Sequence, residues 1–165
     1  MLDNDSVDEA ITVLSDLADA GDWESDEWCA NLLVEHGRMA ELRVRADAGA
    51  WNAGNRLAAL LADQDRVSEL RARADSGDRH AARRLAGLFA ERGEAGELRT
   101  RMKSGDGDAA RQLADLLARQ GHIGSAVSIL QERSDIGDIE ATERLSEWRR
   151  AAADVAINLT INARP

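Results

Sequence analysis

The 165-residue sequence carries 21 Lys and Arg against 31 Asp and Glu, a formal net charge of −10 at pH 7. Ala and Leu dominate its apolar residues, and its single Pro is Pro165. The composition favours helices throughout, because Ala and Leu have high helix propensity and no internal Pro interrupts a helix. The acidic balance argues against nucleic acid as the main partner, since phosphate binding needs an excess of Lys and Arg.

Several classes of protein are excluded by the same inspection. No apolar run approaches the roughly 18 residues of a membrane span, and no charged-then-apolar leader opens the sequence. We therefore expect no membrane partner and a cytoplasmic location. Cys29 is the only cysteine, which excludes an internal disulfide. The three histidines show no ligand spacing and there is no Gly-rich phosphate loop, so the sequence predicts no metal site, no cofactor and no catalytic residue.

A 28-residue repeat organises the chain. Three matching segments begin 28 residues apart, at 41–49, 69–77 and 97–105. One later unit is longer by about one helical turn, in the stretch from Gly121 to Val127. Each unit predicts two helices, because residues such as Leu57, Leu60 and Leu61 follow helical spacing and a shorter second run does the same.

Most junctions between successive units contain the dipeptide Gly-Asp. Successive units are joined by Gly-Asp at Gly21-Asp22, Gly77-Asp78, Gly105-Asp106 and Gly137-Asp138. The glycine suits the left-handed residue that ends one helix, and the aspartate caps the amides of the next. Gly49-Ala50 breaks the capping half of this pattern.

Stacked units of this kind predict the fold. One unit cannot bury its own apolar stripe, whereas neighbours stacked on it do. We therefore expect an all-α, right-handed α-α superhelix over residues 6–150, a solenoid of about ten short helices in a single domain. The second helices should be near 10 residues long, and the one after Gly121 a turn longer.

The repeat resembles two known families. Leu85-Ala86, Phe89 and Gly93 stand where tetratricopeptide repeats place their Leu-Gly, aromatic residue and turn glycine. Residues 74–82 are similar to the junction between Sel-like repeats, and the short unit looks like arrays found in actinobacterial proteins. The resemblance implies a scaffold that binds a protein or peptide partner through the concave face of its first helices.

That resemblance also implies which residues bind the partner. The facing positions carried over to this chain are Asn31, Asn52, Asn55, His80, Arg83, Asp108, Arg111 and Asp115. Arg83 and Arg111 share one repeat position, so both are expected to face the partner together with Asn55. The ends of this face are acidic, so a partner with basic flanks fits by complementarity. An ordinary solvated surface is the alternative interpretation.

Arginine and tryptophan columns supply the rival interpretations. The arginines fall in two columns, Arg43, Arg71 and Arg99, and Arg45, Arg73, Arg101 and Arg133. Stacked helices would align these arginines roughly 10 Å apart, a spacing that favours a nucleic-acid or acidic-surface binder. The alternative is a structural role, in which the arginines lie near helix C-termini and pair with nearby carboxylates. Trp23 and Trp51 share a column, and Trp28 and Trp148 lie elsewhere. The four tryptophans are interpreted either as anchors of a contact surface or as packing against a neighbouring helix start. A small catalytic or ligand-binding α domain is the remaining alternative.

The tail, residues 151–165, breaks the helical pattern. Apolar side chains alternate at Val155, Ile157, Leu159 and Ile161, which predicts a strand. A solitary strand has no ladder partner in a helical array. We therefore consider three roles for this extension: self-association with another chain, a cover for the last helix, or a disordered segment.

Overall fold

The computed structural model describes the backbone of residues 4–162 and the side chains of residues 5–151. Within that range the chain forms ten α-helices and no strand. Their bounds are α1 Asn4–Asp19, α2 Trp23–Glu35, α3 Met39–Asp47, α4 Trp51–Asp63, α5 Val67–Asp75, α6 Arg79–Glu91, α7 Ala95–Lys103, α8 Gly107–Arg119, α9 Ile123–Asp135 and α10 Ile139–Asn162. The predicted all-α helical-repeat architecture is confirmed.

Helix lengths follow the repeat. The first helices of the inner units, α2, α4, α6 and α8, each contain 13 residues. The second helices α3, α5 and α7 contain nine residues, whereas α9 contains 13. The extra turn predicted after Gly121 is therefore confirmed, and it lengthens the N-terminal end of α9.

The chain divides into two compact units. The first unit runs to Leu85 and the second begins at Ala86, so the division falls inside α6, within the range that the sequence predicts as one domain. In the first unit α1 packs on α2, and α4 packs on both α2 and α3. In the second unit α7 packs on α8, α8 on α9 and α9 on α10.

Repeated apolar positions form the core. One position is buried in every repeat, where it holds Cys29, Leu57, Leu85, Leu113 and Leu145. A second buried column holds alanine, at Ala30, Ala58, Ala86 and Ala114. The small alanines allow close packing, which explains how a chain with few large apolar residues still builds a core.

The junctions between helices use the predicted chemistry. Asp78 Oδ1 accepts from the backbone N–H groups of His80 and Ala81, at 2.9 and 3.0 Å, and so caps α6. At the turn between α4 and α5, Asp65 occupies the position that Gly37, Gly93 and Gly121 hold in the other repeats, with a φ of 55°. Aspartate tolerates this left-handed conformation better than most residues do.

The strand predicted in the tail is wrong. α10 continues as a helix to Asn162, through the whole alternating segment. A lone strand would leave its backbone groups without partners, whereas a helix pairs them within the segment. The side chains beyond Ala151 and the last three residues lie outside the described part of the chain, so the self-association role stays a prediction.

Candidate partner-binding site

An open apolar cleft of about 700 Å³ lies in the second unit, between α8, α9 and α10. Its apolar lining includes Ala118, Ile123, Val127, Leu145, Trp148 and Ala151. Asp115 and Arg119 line the cleft from α8, and Arg149 lines it from α10. The volume and the mainly apolar lining with a few polar groups are typical of a binding site.

Arg149, which lines the cleft, departs from a buried apolar column. In the earlier first helices the same repeat position holds a buried apolar residue: Leu33, Leu61, Phe89 and Leu117. Arg149 is exposed instead, and its Nη2 donates to Oε1 of Gln131 on α9 at 2.9 Å. The last helix therefore lacks the apolar side chain that would cover the start of α9.

The α1–α2 pair provides a matched comparison. It aligns with the α9–α10 pair, so that Val7 corresponds to Ile123 and Leu33 to Arg149. Val7 is only 2% exposed, whereas Ile123 is 53% exposed. An apolar residue at this position accompanies a buried Val7, and an arginine accompanies an exposed Ile123.

The charges around the cleft are unevenly compensated. Asp115 forms an ion pair with Arg144 of α10. Arg119 and Arg149 have no carboxylate within ion-pair distance among the side chains that the structure describes. The cleft is therefore an apolar surface bordered by two cations that have no carboxylate partner among the described side chains.

The three predicted residues of the second unit all lie on α8, and all three form ion pairs within the fold. Arg111 forms ion pairs with Asp108 at 2.8 Å, Asp138 at 2.8 Å and Glu140 at 3.0 Å. This network joins the starts of α8 and α10. Asp115 lies on the same helix as Asp108 and lines the cleft.

Asp138 is the centre of that network. It accepts from the backbone N–H of Ala141 at 3.0 Å and from Nε of Arg133 at 3.1 Å. Burial alone would raise the pKa of Asp138, but the Ala141 N–H and the guanidinium groups of Arg111 and Arg133 together hold it below its ordinary value. Arg111 is thus a structural residue that stabilises a buried carboxylate.

The predicted residues of the first unit differ in their exposure and in their hydrogen bonding. The backbone N–H and the side-chain amide of Asn52 both donate to Asp26 Oδ2, each at 3.0 Å. Asn31 and Asn55 are half-buried, whereas Arg83 is exposed. The sequence treats Arg83 and Arg111 as equivalent, and the structure separates them into an exposed side chain and one held by ion pairs.

His80 lies against Trp51. Their ring centroids are 5.0 Å apart and the rings are nearly perpendicular, at 87°. Burial lowers the pKa of His80 below its ordinary value. Trp51 nevertheless stays 51% exposed, and Trp23 in the same column is 67% exposed. Packing therefore accounts for only part of this column, and its role as a contact surface stays a prediction.

One arginine column is used within the junctions. The arginine donates from Nε to the capping aspartate of the next helix in three places: Arg73 to Asp78 at 2.8 Å, Arg101 to Asp106 at 2.8 Å and Arg133 to Asp138 at 3.1 Å. These side chains are largely buried. These arginines stabilise helix junctions. Because their guanidinium groups already pair with carboxylates, they are poorly placed to bind a phosphate backbone.

Asp115 and Trp148 of the cleft lining are among the residues that the sequence marks as candidates for partner contact. The sequence gives no such role to Ile123, Val127 or Arg149. An alignment of the first helices would indicate the change at Arg149, because the equivalent position holds leucine in three earlier repeats and phenylalanine in the fourth.

Comparisons with protein-family models, with curated proteins and with solved structures return no match to this chain. The resemblance to tetratricopeptide and Sel-like repeats therefore stays a prediction from the sequence. None of the helices in residues 4–162 combines the length and apolar character that a bilayer span requires.

Proposed function

We propose that this protein is an interaction module that binds the apolar side chains of a partner polypeptide in the cleft between α8, α9 and α10. The observation that supports this most is the uncovered apolar surface at Ile123, created by Arg149 at a position that is otherwise buried and apolar. Large apolar surface left exposed beside polar groups is typical of a contact site.

The rival functions have less support. A nucleic-acid binder would need available arginines, yet Arg73, Arg101 and Arg133 pair with carboxylates inside the fold. A catalytic α domain would need a cluster of titratable groups in a cleft. Among the described residues, the lining of the cleft has Asp115 and two arginines as its titratable groups, and it contains no histidine, serine or cysteine.

Two matched variants test the proposal. Arg149→Leu restores the apolar residue of the earlier units and should fill the cleft, whereas Arg150→Leu makes the same change at the neighbouring exposed arginine. Each variant and the unmodified chain are immobilised and used to capture proteins from a lysate of the source cells. We expect a protein retained by the unmodified chain and by Arg150→Leu but lost with Arg149→Leu. Equal capture by all three would contradict the proposal.

A further inference from the structure

The cleft between α8, α9 and α10 selects for one kind of partner segment. We propose that it binds an amphipathic α-helix whose apolar stripe is flanked by Asp or Glu side chains. This inference rests on the proposed function, and it adds the conformation and the charge of the partner.

The walls of the cleft determine the conformation of the partner. They are helices, whose backbone N–H and C=O groups are hydrogen-bonded internally. An extended segment lying here would bury backbone groups that find no partner, at a cost in free energy. A helix satisfies its own backbone groups and presents only side chains, which is how amphipathic helices bind apolar grooves.

The dimensions of the cleft agree with this conformation. The lining residues of α8 span 112–119, and those of α10 span 145–151. Each stretch covers about two helical turns, or roughly 10 Å. Two turns of a partner helix would present apolar side chains at i, i+3 or i+4, and i+7 to Ile123, Val127 and Trp148.

The border of the cleft determines the charge of the partner. The carboxylate of Asp115 is already neutralised by Arg144. Arg119 and Arg149 have no such carboxylate within the described residues, although Arg149 donates to the neutral amide of Gln131. A partner helix that covers the cleft removes water from both guanidinium groups, which is unfavourable unless carboxylates pair with them. Acidic flanks supply those carboxylates, and basic flanks would meet like charge.

This local preference is opposite to the one expected from the whole chain. A net charge of −10 favours basic partners at long range. Close contact at the cleft is instead dominated by the two arginines on its border, because screening weakens more distant charges in salt. The two expectations therefore make opposite predictions for the same peptides.

The test uses three synthetic helices that share one Leu stripe and differ only in the flanking residues, which are Glu, Gln or Lys. Each carries a fluorescein label, and binding is measured by anisotropy. We expect the Glu helix to bind at least about tenfold more tightly than the Lys helix, with the Gln helix between them. In the double variant Arg119→Gln, Arg149→Gln this difference should fall below about threefold. Arg150→Gln, the matched control, should keep it.

Distinct outcomes separate this inference from the proposed function. Equal binding of all three helices, lost in Arg149→Leu, would overturn the charge preference and leave the protein-binding cleft in place. Tighter binding of the Lys helix would overturn the inference, as would a Glu preference that survives in the double variant. Dodecanoate is tested as a fourth probe, a small apolar carboxylate. If it binds and none of the helices does, the cleft is a site for small apolar carboxylates, and both this inference and the proposed function are overturned.

Discussion

Asp26 of α2 accepts a hydrogen bond from the backbone N–H of Asn52 in the first turn of α4, at 3.0 Å. At the other junctions between repeats the cap comes from the aspartate that directly precedes the helix, but before α4 that position is Ala50. Asp26 thus supplies from the preceding unit the cap that Ala50 lacks. The replacement is incomplete, because Asp26 Oδ1 and Arg45 Nε are buried without a hydrogen-bond partner in the described part of the chain.

Restoring the missing aspartate should stabilise the protein. In Ala50→Asp the new carboxylate would cap α4 and accept from Arg45 Nε, as Asp78 does from Arg73 at 2.8 Å. We expect the free energy of unfolding to rise by about 1 kcal/mol in urea titrations. Ala48→Asp adds the same charge at an exposed site two residues earlier and should give no gain. A loss of stability in Ala50→Asp would contradict the role assigned to position 50.

Removing Asp26 should have an effect that depends on residue 50. Asp26→Ala leaves the N–H and the side-chain amide of Asn52 without their acceptor, so we expect a loss of about 1–2 kcal/mol. The same substitution should cost less in the Ala50→Asp background, where the cap is supplied locally. A double-mutant cycle measures this coupling, and additive effects would show that the two carboxylates do not share one function.

Charge reversal should distinguish Arg83 from Arg111. Arg111→Glu places a carboxylate beside Asp108 and Asp138, so we expect a loss of about 2–3 kcal/mol. Arg83→Glu changes an exposed side chain and should shift stability by less than about 0.5 kcal/mol. Thermal unfolding of both variants measures this, and similar melting temperatures would contradict the structural role of Arg111.

Asp138 should contribute a pH-dependent part of the stability. Because the fold lowers its pKa, the folded state binds a proton at this carboxyl less readily than the unfolded state does. The stabilisation is therefore present above the unfolded carboxyl pKa of about 4 and is lost as pH falls through the lower folded value. The stability difference between the unmodified chain and Asp138→Asn should shrink as pH drops from about 6 to below 4. A difference that stays constant over this range would contradict the assignment.

Filling the cleft should stabilise the second unit. Arg149→Leu would place a leucine at the position that Leu33 holds in the α1–α2 pair, where Leu33 and Val7 are both buried. Burial of one leucine and part of Ile123 should raise the free energy of unfolding by about 1 kcal/mol. Arg150→Leu should be neutral within about 0.5 kcal/mol. If Arg149→Leu is instead less stable than Arg150→Leu, the Arg149–Gln131 hydrogen bond contributes more to the free energy of unfolding than burial of the apolar surface in the cleft would add.

The repeat allows the helices and the core columns to be predicted from the sequence. Contacts made where a residue departs from the repeat cannot be predicted in this way. Helix number, the extra turn of α9 and the column of Cys29 and Leu57 follow from spacing alone. The bond from Asp26 to Asn52 joins residues 26 apart, and its column holds Gly, Ala and Thr in other units, so no periodicity predicts it. The alternation after Ala153 misleads because local pattern is outweighed by continuation of the preceding helix.

The four tryptophans offer the most direct test of the cleft. Trp148 lines it, whereas Trp23, Trp28 and Trp51 belong to the first unit and serve as internal references. In ¹H–¹⁵N spectra each indole N–H gives its own resonance. Titration with the Glu-flanked helix should shift the Trp148 indole resonance and leave that of Trp28 in place. Shifts confined to Trp23 and Trp51, or no shift at Trp148 at saturating helix, would contradict the account.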